Sequence, residues 1–231
     1  QIECRGDSIV KLDTGKKRIS PIGQKETHEF LSALNDFYRT SHFNDFFNTH
    51  TNIYELGLQV FNDSVMAHFD QEWYTRFYGT PPAEQFRIII GFTNGPCNYG
   101  PSRKLTGQPK EVFAIMNYAV DDNERPIFYK KVVETVVHEF CHSFIKIKGD
   151  TEKALEKSGK ALQEYTYFSM RRQAYSTWRN ILEESLVRAA TICYLIDHDY
   201  DEKDIRNAII EQVDRNFFWM PELVQTLRYY E

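Results

Sequence analysis

The stretch VVHEFCHSF, residues 136 to 144, sets two imidazoles four residues apart and a carboxylate directly after the first. On a helix, residues four apart stack on one face, so His138 and His142 would turn their rings toward one point. Two neutral imidazoles so placed are half of a tetrahedral zinc site. Glu139 projects beside that point rather than at it, where it can take a proton from an attacking water and pass it to a leaving amine. The chemistry implied is amide hydrolysis: zinc brings the pKa of a bound water to about 7 and polarises the carbonyl, while the carboxylate serves as general base and then as general acid.

Five residues are a short pattern, and the alternative is that both histidines are satisfied polar groups on an ordinary core helix. Val132, Val133, Val136, Val137, Phe140, Phe144 and Ile145 make the segment apolar nearly all round, which predicts a buried helix. Two histidines and a glutamate on a buried helix need partners, and a metal supplies one.

The third protein ligand decides the subclass. A metzincin continuation requires Gly three residues and His or Asp six residues after the second histidine; Ile145 and Lys148 occupy those positions and exclude it. A glutamate from a later helix is the other solution, and NILEESLVR (180–188) offers Glu183 and Glu184 on an amphipathic pattern with Leu182, Leu186 and Ala190 facing inward. Adjacent helical residues point about 100° apart, so only one of the two can coordinate. Gluzincin ligands are followed by small and apolar residues and then by a polar residue four positions on, often one that helps orient a histidine. Glu184-Ser185-Leu186-Val187-Arg188 fits that register better, with Glu183 as the alternative. Two rivals are weaker. His198, in Asp197-His198-Asp199, reads as a helix-end residue. Cys97 could coordinate as the cysteine of a peptide deformylase does, but that motif carries Asp where this chain has Cys141.

HEFCH followed by a distal EESLVR resembles the zincin-like metallopeptidases of the gluzincin type. More closely, the order of aromatic-rich helices, an NYG loop, HEFCHSF and EESLVRA is similar to an uncharacterised bacterial family of secreted zinc peptidases, over most of residues 28 to 200. The resemblance implies His138, His142 and Glu184 as zinc ligands and Glu139 as catalytic base. It also implies a cleft between two lobes, with a sheet-edge strand above the zinc that pairs with an extended peptide or protein substrate. By that analogy Val112 to Val120 is the candidate edge strand. No motif selects an oxyanion donor among Tyr99, Tyr165, Tyr167 and Tyr175.

These residues need elements to position them. Residues 1 to 27 carry charge, Gly and Pro with little periodicity, and Ser8 to Leu12 is a strand candidate. From Glu26, phenylalanines and aliphatics recur at helical spacing until Gly79-Thr80-Pro81-Pro82 breaks the chain. Phe86 to Phe92 and Val112 to Val120 have strand composition, separated by a long Gly/Pro loop at 93–110 that could gate the cleft. Asp121 to Pro126 supplies turn formers and a Pro suited to a first helical turn, so the motif helix is expected over 127–147. Further helices are expected at 151–174, 177–197, 202–214 and 222–229. The fold class is α+β and mostly helical, one zincin-like catalytic domain over 1–231. Its N-terminal lobe, about 1–148, includes the motif helix, and its helical C-terminal lobe, about 149–231, supplies the third ligand.

Composition narrows the function classes. Hydrophobic residues make up 42% and aromatics 15% of the 231 residues, enough for a core built on rings and too many for a disordered chain. A net charge of −5, from 28 basic and 33 acidic residues with no basic block beyond Lys16-Lys17-Arg18, argues against a nucleic-acid partner. No apolar run is long enough to span a bilayer. Four scattered cysteines form neither a disulfide framework nor a CxxC zinc site. The chain starts at Gln1 rather than Met, and removal of a signal peptide would place it in the periplasm or outside the cell. The leading expectation is therefore a zinc-dependent peptidase. Its competitors are an inactive zincin-shaped binding or structural module, and a zinc amide hydrolase acting on a small molecule.

Overall fold

A computed structural model of the chain describes residues 2–5, 8–11, 23–93, 95 and 97–230. Two short antiparallel strands, β1 (Ile2–Arg5) and β2 (Ser8–Lys11), come first; Leu12, the end of the expected strand, lies outside the described residues. The aromatic segment that follows is helical, as its spacing predicts: α1 (Gln24–Thr40), α2 (Phe43–Thr49) and α3 (Thr51–Ser64). Asn35 of α1 fastens β2, accepting from the Ile9 amide at 2.7 Å and donating to the Ile9 carbonyl at 2.8 Å. The short α4 (Trp73–Tyr78) stops at Gly79, whose φ of 68° makes the left-handed turn that a side chain would resist.

Three strands form the main sheet, β3 (Gln85–Gly91), β4 (Ser102–Lys104) and β5 (Lys110–Asn117), in the order β3-β5-β4. β3 runs parallel to β5, and β4 lies antiparallel along its other side, with Arg103 opposite Glu111. The expectation that Val112 to Val120 is an edge strand is therefore overturned. β5 is the middle strand, and β3 and β4 are the edges. The stretch expected as a long loop folds back onto β5: Tyr99 exchanges backbone hydrogen bonds with Ile115 at 3.0 and 2.8 Å, and β4 continues the pairing. A polar Ser-Arg-Lys strand has no hydrophobic alternation to announce it; its support is the cross-strand ion pair of Arg103 with Glu111.

The remainder of that segment leaves the sheet. β6 (Ala119–Val120) pairs with β7 (Pro126–Ile127) across a turn in which the Asp121 carboxylate accepts from the amides of Asn123 and Arg125 at 2.8 and 2.9 Å. The turn formers thus close a hairpin instead of opening a helix, and the motif helix, α5 (Val132–Cys141), is shorter at both ends than 127–147. The last four helices match their expected spans within about two residues: α6 (Asp150–Arg172), α7 (Trp178–Asp197), α8 (Glu202–Asp214) and α9 (Met220–Tyr230). The architecture is α+β and mostly helical, and no helix among the described residues is long and apolar enough to cross a membrane.

The chain divides into two compact units, 1–67 with 83–129, and 68–82 with 130–231. The division falls ahead of the motif helix rather than near 148. Segment 68–82 belongs with the C-terminal helices because its rings and polar groups are satisfied there. Trp73 packs edge-on against Tyr194 at 5.1 Å and donates to Asp197 at 2.6 Å, and the Tyr194 hydroxyl accepts from the Asp70 amide at 2.8 Å. In the first unit, Phe61 meets Phe128 at 5.0 Å, and Gly57 lets Phe92 approach so closely that a Cβ there would stand 2.7 Å from the ring. The motif helix and the helix carrying Glu183 and Glu184 lie in the same unit.

Candidate metal centre

α5 buries Val133, Val136, Val137, Phe140 and Cys141. Aromatic residues of its own unit clamp its C-terminal end: Phe69 lies 6.0 Å from Phe140, the Tyr74 hydroxyl donates to the Val137 carbonyl at 3.3 Å, and Phe144 stacks on Tyr74 and Tyr78. His142 caps the helix with φ −56° and ψ −20°, still right-handed helical, so its relation to His138 one turn back is preserved. The chain then tightens into 3₁₀-type bonds from Ser143 to Phe140 and from Phe144 to Cys141, each 3.0 Å. The two imidazoles stand 5.0 Å apart, nearly perpendicular.

α7 is buried nearly all round and is placed by its first turn. Thr177 caps it, accepting from the Asn180 amide at 3.2 Å, and Gln163 of α6 accepts from the Trp178 amide at 3.1 Å while donating to the Ser176 carbonyl at 2.8 Å. Gly159 gives the Trp178 ring its seat, since a Cβ there would come within 2.5 Å of it. So held, α7 delivers Glu184 to the imidazoles. Its Oε1 lies 3.5 Å from His138 Nε2 and its Oε2 3.7 Å from His142 Nε2, and one donor atom from each residue falls within 4.8 Å of the others. These separations are long for hydrogen bonds. They are close to the roughly 3.4 Å between two ligands about 2.1 Å from one tetrahedral ion.

The two glutamates separate cleanly. Glu183, a hundred degrees around the helix, accepts from the Ile147 amide at 2.7 Å and holds the connection between α5 and α6. Glu184 joins the histidines. His138, His142 and Glu184 could hold a metal ion, and among the described residues they form the group of His, Cys, Asp and Glu side chains so placed.

The charge states suit ligands. Burial pushes His138 down to about 4 against the pull of Glu184, and burial likewise lowers His142, so both rings are neutral near pH 7 and offer lone pairs. For Glu184 burial alone would raise the pKa, but His138, Arg188, His142 and a Tyr175 hydrogen bond outweigh it and hold the carboxyl below its ordinary value. Arg188 reaches Glu184 Oε1 at 2.7 Å, donates to the Tyr175 hydroxyl at 3.1 Å and to Gln212 of α8, and lies over the Phe217 ring. The polar residue four positions after the ligand thus orients the glutamate, not a histidine. Glu139 is half-buried, with neither a hydrogen bond nor an ion pair among the described residues, and burial, assisted by Glu184, raises it to about 7.

Of the three tyrosines considered that lie in this unit, only Tyr175 stands beside this group. Tyr165 is 81% exposed, Tyr167 binds Arg171, and Tyr99 belongs to the other unit, where its backbone pairs with Ile115. His198 is engaged elsewhere, facing Asp70 at 3.2 Å and the Tyr194 carbonyl at 2.8 Å, and Cys97 is exposed in the other unit. The sequence reading missed Gln212 and Phe217, which steady Arg188 from outside α7. No local pattern announces either, because they reach the site only through the packing of α8 and the turn after it.

No curated protein and no solved structure matches the chain. A domain-family model does, over residues 5–231, so the group that could hold a metal and both helices that carry it lie inside the matched region: the chain belongs to DUF4932, a domain family of unknown function.

Proposed function

We propose that this protein is a zinc-dependent peptidase of the gluzincin type, in a zincin-like fold. The observation that carries the reading is the convergence of two neutral imidazoles and one ionised carboxylate from α5 and α7, with Glu139 beside them and without a side-chain partner among the described residues. Two nitrogens and an oxygen from three residues, with a further carboxylate left over, is a donor set with an open position, as catalytic rather than structural zinc has. Zinc bound there would acidify a coordinated water and polarise the scissile carbonyl.

The chain's own groups do the rest. His138 and His142 present lone pairs because burial keeps them unprotonated. Arg188 and Tyr175 fix the Glu184 carboxylate so that its orientation does not drift. Glu139 accepts the proton of the attacking water at its carboxylate and returns it to the departing amine nitrogen; a cation at the three-ligand group would draw its pKa back toward the usual carboxylate range.

The test is Glu139→Gln. The variant should retain about one zinc per chain and lose peptide hydrolysis by at least a hundredfold. A wild-type protein that holds zinc yet cleaves nothing in a broad peptide library would overturn the reading.

A further inference from the structure

α5, α7 and α8 line a half-open cavity of about 200 Å³. His138 and Arg188 form part of its wall, so it adjoins the three-ligand group. Glu134 lies one turn back along α5 on the same face, and Ile192, Leu195 and Ala208 give an apolar lining.

The charges around the cavity are unevenly matched. Lys131 and Arg215 are both held by Glu211, at 3.3 and 2.8 Å. Arg188 is held by Glu184. Glu134 is half-buried and has neither an ion pair nor a hydrogen bond among the described residues. Burial raises its carboxyl pKa; Lys131 opposes that, while Glu211 and Asp204 reinforce it. A neighbouring cavity of about 150 Å³ shares Glu134 and Lys131 as walls and adds Asp204, while its other lysine, Lys130, lies over the Tyr200 ring at 4.1 Å. An acidic group thus waits between two cavities whose own cations are engaged elsewhere.

We propose that this cavity receives a lysine or arginine side chain of the substrate next to the bond under attack, with Glu134 as its counter-charge. The proposal rests on the peptidase reading for where the substrate backbone lies. Four residues of α5 separate Glu134 from His138, a rise of about 6 Å, which is close to the reach of an extended lysine. The methylene stem would lie on Ile192, Leu195 and Ala208 while the charged end meets the carboxylate. An acidic side chain would have to displace Glu211 from Lys131 and Arg215 and would face Glu134 as a like charge.

Binding separates this from catalysis. Dipeptide hydroxamates carrying Lys, norleucine or Glu beside the hydroxamate are titrated into zinc-loaded protein by calorimetry. The lysine compound should bind the wild type at least about tenfold tighter than the norleucine compound. Glu134→Gln should erase that advantage while leaving norleucine binding unchanged, which also certifies the variant's fold, and Glu134→Lys should transfer the preference to the Glu compound. Equal binding of Lys and norleucine by the wild type, a wild-type preference for Glu, failure of all three to bind, or a lysine advantage that survives Glu134→Gln would each overturn the proposal. Lysine selectivity through Glu134 in a protein that cleaves no peptide would support the pocket and overturn the peptidase reading. Cleavage without regard to basic residues would do the reverse.

Discussion

Among the described residues, each compact unit buries one glutamate to the same degree, Glu111 in β5 and Glu184 in α7, both 7% exposed. Both carboxyls are held below their ordinary pKa, yet they are in opposite condition. Glu111 gives one oxygen to Arg103 and the other to Arg87, so each oxygen meets its own cation, and both guanidinium groups also reach solvent. Glu184 gives one oxygen to Arg188, and its other partners among the described residues are neutral: the Tyr175 hydroxyl and the His138 and His142 rings at 3.5 and 3.7 Å. Burial and a depressed pKa are therefore shared by a structural charge and a candidate ligand. What separates them is unspent capacity: Glu184 is half-matched, beside two lone pairs, and a cation would complete it.

Removing the carboxylates should break the symmetry most strongly. Glu184→Gln should lower zinc affinity by more than the ten- to hundredfold that loss of an outer-shell partner typically costs, whereas Glu111→Gln should leave zinc content at the wild-type level. Metal analysis after dialysis reads both, and equal zinc in the two variants would end the distinction. Glu183→Ala sharpens it within α7 itself: zinc should stay, and the orphaned Ile147 amide should cost about 1–3 kcal/mol in urea unfolding.

Removing the cations comes next. Arg188→Met leaves Glu184 buried without its positive partner, a condition that typically costs about 3–5 kcal/mol. Zinc would restore the missing charge, so the variant should gain more stability from added zinc than the wild type does. Arg103→Met should show no such zinc-dependent recovery, because Glu111 keeps Arg87. Thermal unfolding with and without zinc checks this, and equal zinc-induced shifts in wild type and Arg188→Met would count against a half-matched carboxylate.

A smaller effect appears as pH dependence in the presence of a chelator. His138 titrates at about 4 in the folded chain and near its ordinary 6.5 when unfolded. Between those values the unfolded state binds more protons, so stability is full above about pH 6.5 and falls as pH drops toward 4. Glu111 and Glu184 are depressed carboxyls, and their contribution is lost only below the ordinary carboxylate range. Glu139, raised to about 7, runs the other way over the same window and His142 runs with His138, so the difference between variant and wild type carries the test. The urea midpoint of His138→Gln should rise relative to that of the wild type as pH drops from 6.5 to 4.5, whereas Glu111→Gln should keep a constant offset; a constant offset for His138→Gln would refute the assignment.

This asymmetry was only partly legible in the sequence. The pairing of the imidazoles on one face and the divergence of Glu183 from Glu184 followed from helical spacing, because a helix converts sequence distance into direction; the preference for Glu184 came from its likeness to gluzincin ligands. Sheet position did not follow: β5 read as an edge strand because its neighbour β4 is three polar residues inside a Gly/Pro stretch. The start of α5 was misplaced because Asp121 and Pro126 serve a hairpin as well as a helix N-terminus. Arg188 was expected to orient a histidine; its grip on Glu184 depends on Gln212, Phe217 and Tyr175, which only tertiary packing assembles.

The smallest effect concerns the backbone that holds Tyr175 over Glu184, a support for which Glu111 has no counterpart. α6 ends in a left-handed residue, Ala174, with φ 68°, and the Tyr175 amide closes the turn onto the Met170 carbonyl at 3.0 Å. Gly79 ends α4 at the same φ of 68°, with nothing within 4 Å of where its Cβ would stand. The two positions form a matched pair in which the residue type differs and the conformation does not. Ala174→Gly should stabilise the chain by up to about 1 kcal/mol and Gly79→Ala should destabilise it by a similar amount, since a Cβ is disfavoured in this region whatever space surrounds it. Zinc content should not change in either variant. If Ala174→Gly instead costs the ~1 kcal/mol expected of glycine within a helix, the turn is not the strained support of Tyr175 that its φ indicates.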